Sequence, residues 1–165
     1  MRKLLAGLLT IGCSSVYAMP PLGVDREDMI CLTQNIYFES RDQPLVGQVA
    51  VAFVTINRVD SWRYADSICD VVRAGYKPNR ADCHFSWYCD GQSDYPHDNA
   101  IERKAWNTAK IIAKAVIRNR DYIVDPTNGS THYHSNKVSP WWAPKIAYIG
   151  TIGDHLFYVE GEPRE

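Results

Sequence analysis

One carboxyl stands out in the stretch "CLTQNIYFESRDQPLVGQVAVAFVTINRV", Cys31 to Val59. Glu39 follows Ile36, Tyr37 and Phe38 at the end of one apolar segment and stands just before another. A glutamate where two apolar helices converge has the makings of a general acid. Backbone carbonyls at a helix C-terminus disfavour a negative charge, and Tyr37 and Phe38 would strip water from the carboxyl. Both effects raise its pKa, which proton donation near neutral pH requires. Arg41 pulls the other way, and the plainer alternative is an exposed Glu that ends a helix and pairs with Arg41.

Two further clusters bear on that choice. "CHFSWYCDG", Cys83 to Gly91, is a polar-aromatic loop bracketed by cysteines, and "GSTHYHSNKVSPWW", Gly129 to Trp142, is a strand followed by aromatic residues. Trp and Tyr rings beside short hydroxyl and amide side chains suit saccharides, because pyranose rings stack on aromatic faces and their hydroxyls need fixed partners. Core packing would explain the same residues. Alternation along the strand sends Tyr133 to one side and His132 with His134 to the other, so one of those sides can simply be buried. Taken with Glu39, the clusters point to a groove.

The elements that would position these residues are helices first and strands last. Asp25 suits an N-cap, with Glu27 and Asp28 in the first turn, for a helix over 26–39. Pro44 suits the first turn of a second helix over 44–59, which is apolar almost all round and therefore belongs at the centre of the fold. Gly47 would let another backbone approach that helix. A short helix over 67–73 and a long one over 99–119 follow. Segments 131–135, 146–149 and 155–159 read as strands, the last two joined around Gly153-Asp154. The fold class is α+β, a helical core with a small β-structure along one side.

Composition places this fold outside the cytoplasm. Arg2 and Lys3 precede the apolar run Leu4 to Gly12, and Val16-Tyr17-Ala18 carries small residues where a signal peptidase cuts. Residues 1–18 therefore read as a signal peptide and 19–165 as a single domain. The apolar run is too short to span a bilayer, so no stable membrane insertion is expected after cleavage. A lipidated Cys13 is the second choice, because Thr10 stands where a lipobox has leucine. Cleavage removes Arg2 and Lys3 and takes the formal charge from −1 to −3, so bulk attraction to nucleic acid is not expected. Cys31, Cys69, Cys83 and Cys89 remain, an even set for an oxidising compartment. Of three possible pairings, a local Cys83–Cys89 clip would leave Cys31 with Cys69. A periplasmic, extracellular or wall-associated monomer without a cofactor is expected.

The motifs "NIYFESR", "GQVAVAFVTINRV", "CHFSWYCDG" and "THYHSNKVSPWW", in this order over about 31–159, resemble the cell wall hydrolase family of spore-cortex lytic enzymes. The resemblance implies a lysozyme-like catalytic domain that cleaves peptidoglycan glycan strands at the β-1,4 bond between N-acetylmuramic acid and N-acetylglucosamine. It places the catalytic glutamate at Glu39 and the groove-lining residues at Phe85, Ser86, Trp87 and Tyr133. Ser40 and His84 depart from the family pattern, where alanine and glutamine are expected, and the separate wall-binding repeats of some relatives are missing. A single acid implies lytic transglycosylation, with the muramic 6-hydroxyl as nucleophile. Hydrolysis would need a second carboxylate, for which Asp42, Asp90 and Asp94 are candidates.

Two other classes compete. A metal-dependent amidase or peptidase could draw on His132, His134, His84 or His97, but no defined third ligand accompanies them. Hydrogen bonding to substrate is the expected use of His84 and His132. A non-catalytic glycan-binding module would retain the groove and release nothing.

Overall fold

A computed structural model describes residues 25–77 and 82–161. The cleavage site expected after Ala18 and the alternative at Cys13 lie outside these residues. Asp25 caps the first helix, α1 (Arg26–Ser40), by accepting the Glu27 N–H at 3.0 Å, and Glu27 and Asp28 sit at the positive end of its dipole. Along its buried face α1 mixes apolar Cys31, Leu32 and Ile36 with Thr33, Asn35 and Ser40. Each of these polar side chains has an internal partner. Thr33 donates to the Met29 carbonyl at 2.7 Å, Ser40 to that of Ile36 at 2.8 Å and Asn35 to Thr55 Oγ1 at 3.0 Å.

The second helix, α2 (Leu45–Val59), is the centre of the molecule. Pro44 stands at its N-cap position, and Ala50, Val51, Ala52, Val54 and Thr55 are completely buried. One side of α2 packs against α1, α3 (Ile68–Val72) and α4 (Ala100–Asn119). Its other side meets the sheet, where Ala50 and Val54 contact Phe157 with Tyr133 and Ile152 around them. Each large side chain buried there contributes roughly 1.5–3 kcal/mol. Gly47 admits no second backbone: a Cβ there would lie 3.2 Å from Gln43 Cβ, so its smallness serves the turn that leads into its own helix.

The sheet comes last in the chain. Strands β1 (His132–Ser135), β2 (Ala147–Ile152) and β3 (His155–Val159) are antiparallel in the order β1-β3-β2, which leaves β1 on an edge. Tyr133 pairs with Phe157 and His132 with Tyr158, so Tyr133 faces α2 while His132 and His134 face outward. The β2–β3 turn needs glycine at Gly153. Its φ is +60°, and a Cβ would come within 2.5 Å of Gln43 Oε1.

Both disulfides take the pairing favoured by loop length, Cys31–Cys69 and Cys83–Cys89. The first fastens α1 to α3 across 38 residues, and the second closes the loop that holds Phe85 and Trp87. Replacing Cys31 and Cys69 together by alanine should lower unfolding free energy by about 3–4 kcal/mol in chemical denaturation. A loss below about 1 kcal/mol would mean that packing alone holds α1 on α3.

Candidate active site

Glu39 lies in the last turn of α1, and its carboxyl meets β1. Tyr133 Oη donates to Glu39 Oε2 at 2.8 Å, joining two elements 94 positions apart in the chain. The side chain keeps part of its surface open, yet protein atoms crowd the carboxyl. Burial pushes its pKa up, while the Tyr133 hydrogen bond and the positive charge of Arg58 pull it part of the way back. Burial and the neighbouring carboxyl push the Tyr133 phenol well above its ordinary value, so it remains a neutral donor. The pair is a half-dry acid with one oxygen occupied by a fixed donor.

Arg41 is not the partner of Glu39. Its guanidinium lies 4.9 Å from the centre of the Tyr37 ring and 3.6 Å from Glu102, so the exposed Glu39–Arg41 pair does not form. The countercharge comes instead from Arg58 in the last turn of α2, which is 7% exposed. Arg58 Nε donates to the Thr131 carbonyl at 2.8 Å. Next to it, Asn57 reaches Asp125 Oδ2 at 2.9 Å and the Ser130 carbonyl at 3.1 Å. Asp125 in turn accepts the Thr127 and Gly129 N–H groups, each at 2.8 Å. Two polar residues at the end of an apolar helix thus clamp the loop that delivers Tyr133. Sequence reasoning missed Asn57, Arg58 and Asp125. The available signal was an Asn-Arg pair at helix positions that the α2 pattern buries.

A cavity of about 290 Å³ opens beside the acid, lined by Glu39 and Phe38 from α1, Arg41, Asp42 and Gln43 from the following loop, Ser135 at the end of β1 and Lys137 just beyond it, Asp154 from the β2–β3 turn and His155 at the start of β3. Gln43 ties its two sides together. Its Oε1 accepts the Asp154 N–H at 2.9 Å, and its Nε2 lies 3.3 Å from Asp154 Oδ2 and 3.4 Å from Asp42 Oδ1. Asp42 is therefore the expected second carboxylate that shares a cavity with Glu39, and Asp154 joins it without having been anticipated. Asp90 and Asp94 do not line this cavity.

The other expected binding residues divide. Trp87 is buried, with Nε1 donating to Asn35 Oδ1 at 3.0 Å and its ring stacked on Phe38 at 4.8 Å. It offers no free face to a sugar; Phe38, on which it stacks, does line the cavity. Phe85 is buried as well, under the Arg58 guanidinium at 4.8 Å. Ser86 is exposed at the start of a 3-10 turn and is not part of the Glu39 cavity. His84 and His132 flank Tyr64, with ring centres at 6.4 and 6.5 Å, and Trp142 stands 5.2 Å from His132. Burial lowers the pKa of both histidines, and Arg58 lowers it further. Both lie close enough to Arg58 for its charge to act on them.

The histidines do not gather around one point. His134 has both ring nitrogens engaged, 2.9 Å from the Ser135 carbonyl and 3.0 Å from Tyr158 Oη. Nδ1 must donate to that carbonyl, which leaves Nε2 to accept from the tyrosine and no lone pair for an ion. Among the described residues no group of three or more His, Cys, Asp or Glu side chains has the arrangement of a metal centre.

Comparison with known proteins supplies the family. Residues 42–158 match the cell wall hydrolase family, a segment that begins three positions after Glu39. The spore cortex-lytic enzyme of Bacillus subtilis is 31% identical over 147 residues, 87% of this chain and 41% of that protein. The spore cortex-lytic enzyme of Halalkalibacterium halodurans is 29% identical over 138 residues, 83% of this chain and 36% of that protein. The chain therefore spans less than half the length of these relatives. Among solved structures, the catalytic domain of the germination-specific lytic transglycosylase SleB from Bacillus anthracis superposes with a TM-score of 0.58 at 28% identity. That match covers 84% of this chain and 99% of that one. The catalytic domain of the Bacillus cereus SleB protein gives 0.53 at 29% identity, covering 80% of this chain and 90% of that one. The α+β architecture, a lysozyme-like helical core with a small antiparallel sheet, is thus the one found in SleB, and this chain belongs to the cell wall hydrolase family.

Proposed function

We propose that the protein is an exported peptidoglycan-cleaving enzyme, and that Glu39 is its catalytic acid. The observation that carries this reading is the Tyr133–Glu39 hydrogen bond in a desolvated position at the mouth of a polar cavity. The substrate class is glycan strands cleaved at the β-1,4 bond between N-acetylmuramic acid and N-acetylglucosamine. Family membership and the SleB likeness support that class. Export is supported by the signal-like N-terminus and by the two disulfides, which persist in an oxidising compartment. The signal peptide, residues 1–18, precedes one catalytic domain.

The chemistry follows from the acid's surroundings. Tyr133 occupies Oε2, which leaves Oε1 to carry the proton that the glycosidic oxygen takes up. As the C1–O4 bond breaks, that proton passes to the leaving N-acetylglucosamine oxygen and Glu39 becomes a carboxylate. Tyr133 and Arg58 both favour the charged form, so the cost of creating it falls at the moment it appears. The carboxylate then accepts the proton of the muramic 6-hydroxyl as that oxygen bonds to C1. The products are a 1,6-anhydromuramic end and a free 4-hydroxyl. A hydrolytic variant, with water activated by Asp42 or Asp154, is the second reading, favoured by the presence of both carboxylates in the Glu39 cavity. His84 and His132 are assigned to hydrogen bonding with the strand, and Ser86 to its outer margin.

Replacing Glu39 by glutamine keeps an acceptor for Tyr133 and removes the proton. Release of muropeptides from purified sacculi should fall by more than about 100-fold with the melting temperature nearly unchanged. Residual activity within about tenfold of wild type would remove Glu39 from the reaction. In Tyr133→Phe, the lost donor should raise the Glu39 pKa, because a hydrogen bond to the charged form is what pulled it down. A 13C NMR titration of the Glu39 carboxyl should show a midpoint roughly one unit higher. A lower midpoint would contradict the assignment of Tyr133 as donor.

A further inference from the structure

Arg58 is the part of the site that proton donation alone leaves unexplained. A cation buried to this degree is costly, and a methionine of similar length would fill the same space without the desolvation. What surrounds the guanidinium is aromatic and carbonyl: the Phe85 ring at 4.8 Å, the Tyr64 ring at 5.4 Å and the Thr131 carbonyl on Nε at 2.8 Å. Its Nη1 is buried with no hydrogen-bond partner among the described residues. The groups whose charge it feels or affects converge from every neighbouring element. They are Glu39 at the end of α1, Tyr64 beyond α2, His84 in the disulfide loop, His132 and Tyr133 on β1, and Glu160 after β3.

Two hydrogen bonds and a two-residue step of backbone link this cation to the acid. Arg58 holds the carbonyl of Thr131, and two residues further on Tyr133 donates to Glu39. Moving the guanidinium therefore moves the start of β1 and the register at which the phenol meets the carboxyl. We propose that Arg58 is a positioning residue with two connected tasks: it fixes β1 so that Tyr133 reaches Glu39, and it is the built-in countercharge for the carboxylate that Glu39 becomes after giving up its proton. The inference rests on Glu39 being the catalytic acid. A carboxylate hydrogen-bonded to Arg58 would neutralise it and cancel its effect on Glu39. Burial, with the Arg58 charge added to it, lowers the pKa of His84 and His132.

The sign of the effect is fixed. Without the charge, Glu39 holds its proton to higher pH, so the basic limb of the pH–rate profile moves up, while the carboxylate intermediate becomes more costly and the rate falls. The test uses Arg58→Gln, which keeps a donor for Thr131 and loses the charge, and Arg58→Lys, which keeps the charge. Both are made in the full chain and followed by sacculus digestion across pH and by 13C titration of Glu39. In Arg58→Gln the Glu39 midpoint and the basic limb should rise together by on the order of one pH unit, with activity at the optimum reduced about tenfold or more. In Arg58→Lys the midpoint should stay within about 0.3 unit of wild type, a small fraction of what an adjacent charge produces, even where activity falls. An unmoved midpoint in Arg58→Gln, or an equal rise in both variants, would overturn the proposal. Should Arg58→Gln fail to fold, a raised midpoint in Arg58→Lys alone would overturn it. An inactive Glu39→Gln with an unmoved Arg58→Gln midpoint sinks this inference alone. A shifted midpoint with an active Glu39→Gln leaves the coupling standing and removes the catalytic reading.

Discussion

The hydrogen bond between the Tyr133 phenol and the Glu39 carboxyl is the contact around which the site is organised. It spans 2.8 Å in space and 94 residues in sequence, and it exists only if the last turn of α1 and the edge strand β1 are held at one separation. Neither element can do this alone. A four-residue strand has little stability of its own, and a carboxyl at a helix C-terminus gains nothing from its helix. The demand passes to whatever stands between them, and that is α2.

Helix α2 meets the demand with two kinds of surface. Its apolar side chains glue the helical layer to the sheet through Phe157, while Asn57 and Arg58 at its end hold the loop before β1 by hydrogen bonds. The hydrophobic contact is strong but permits sliding. The Asn57 and Arg58 bonds are directional, and they tie two successive carbonyls, Ser130 and Thr131, each to its own side chain. Gln43 performs the matching task on the opposite wall, where it joins the α1–α2 loop to the β2–β3 turn at a glycine that no side chain could replace without a clash. The cleft is thereby braced at both ends, and the acid sits between the braces.

Much of this was legible in the sequence. The α1, α2 and α4 patterns, the capping role of Asp25, and the late strands follow from local periodicity and end signals, and they agree with the structure to within a few residues. Glu39 and Tyr133 could each be singled out, but their contact could not, because it depends on tertiary placement across the whole chain. Trp87 shows the opposite failure. Composition marks it as a sugar platform, yet its indole N–H is bound by Asn35 and its ring is covered, a fate that depends on a partner 52 residues away. Arg58 stands in the last turn of α2, where a basic residue is ordinarily explained by the helix dipole. Only its burial reveals that it has another use. The cysteine pairing was open among three arrangements, and loop length favoured the one that forms.

Chemically, the site brings together a desolvated acid, the neutral donor bonded to it and a buried cation, beside a polar cavity that Asp42 and Asp154 also line. Such a set supports two successive proton transfers by the same carboxyl, which is what an intramolecular attack by the muramic 6-hydroxyl requires. Asp42 and Asp154 stand close enough to the cavity to serve a water-dependent route instead. The two routes differ in whether solvent oxygen enters the product. Sacculi digested in 18O-enriched water, with muropeptides resolved by mass, give the most direct test. The account predicts 1,6-anhydromuramic ends that carry no heavy oxygen, and reducing ends labelled with one 18O at C1 would contradict it.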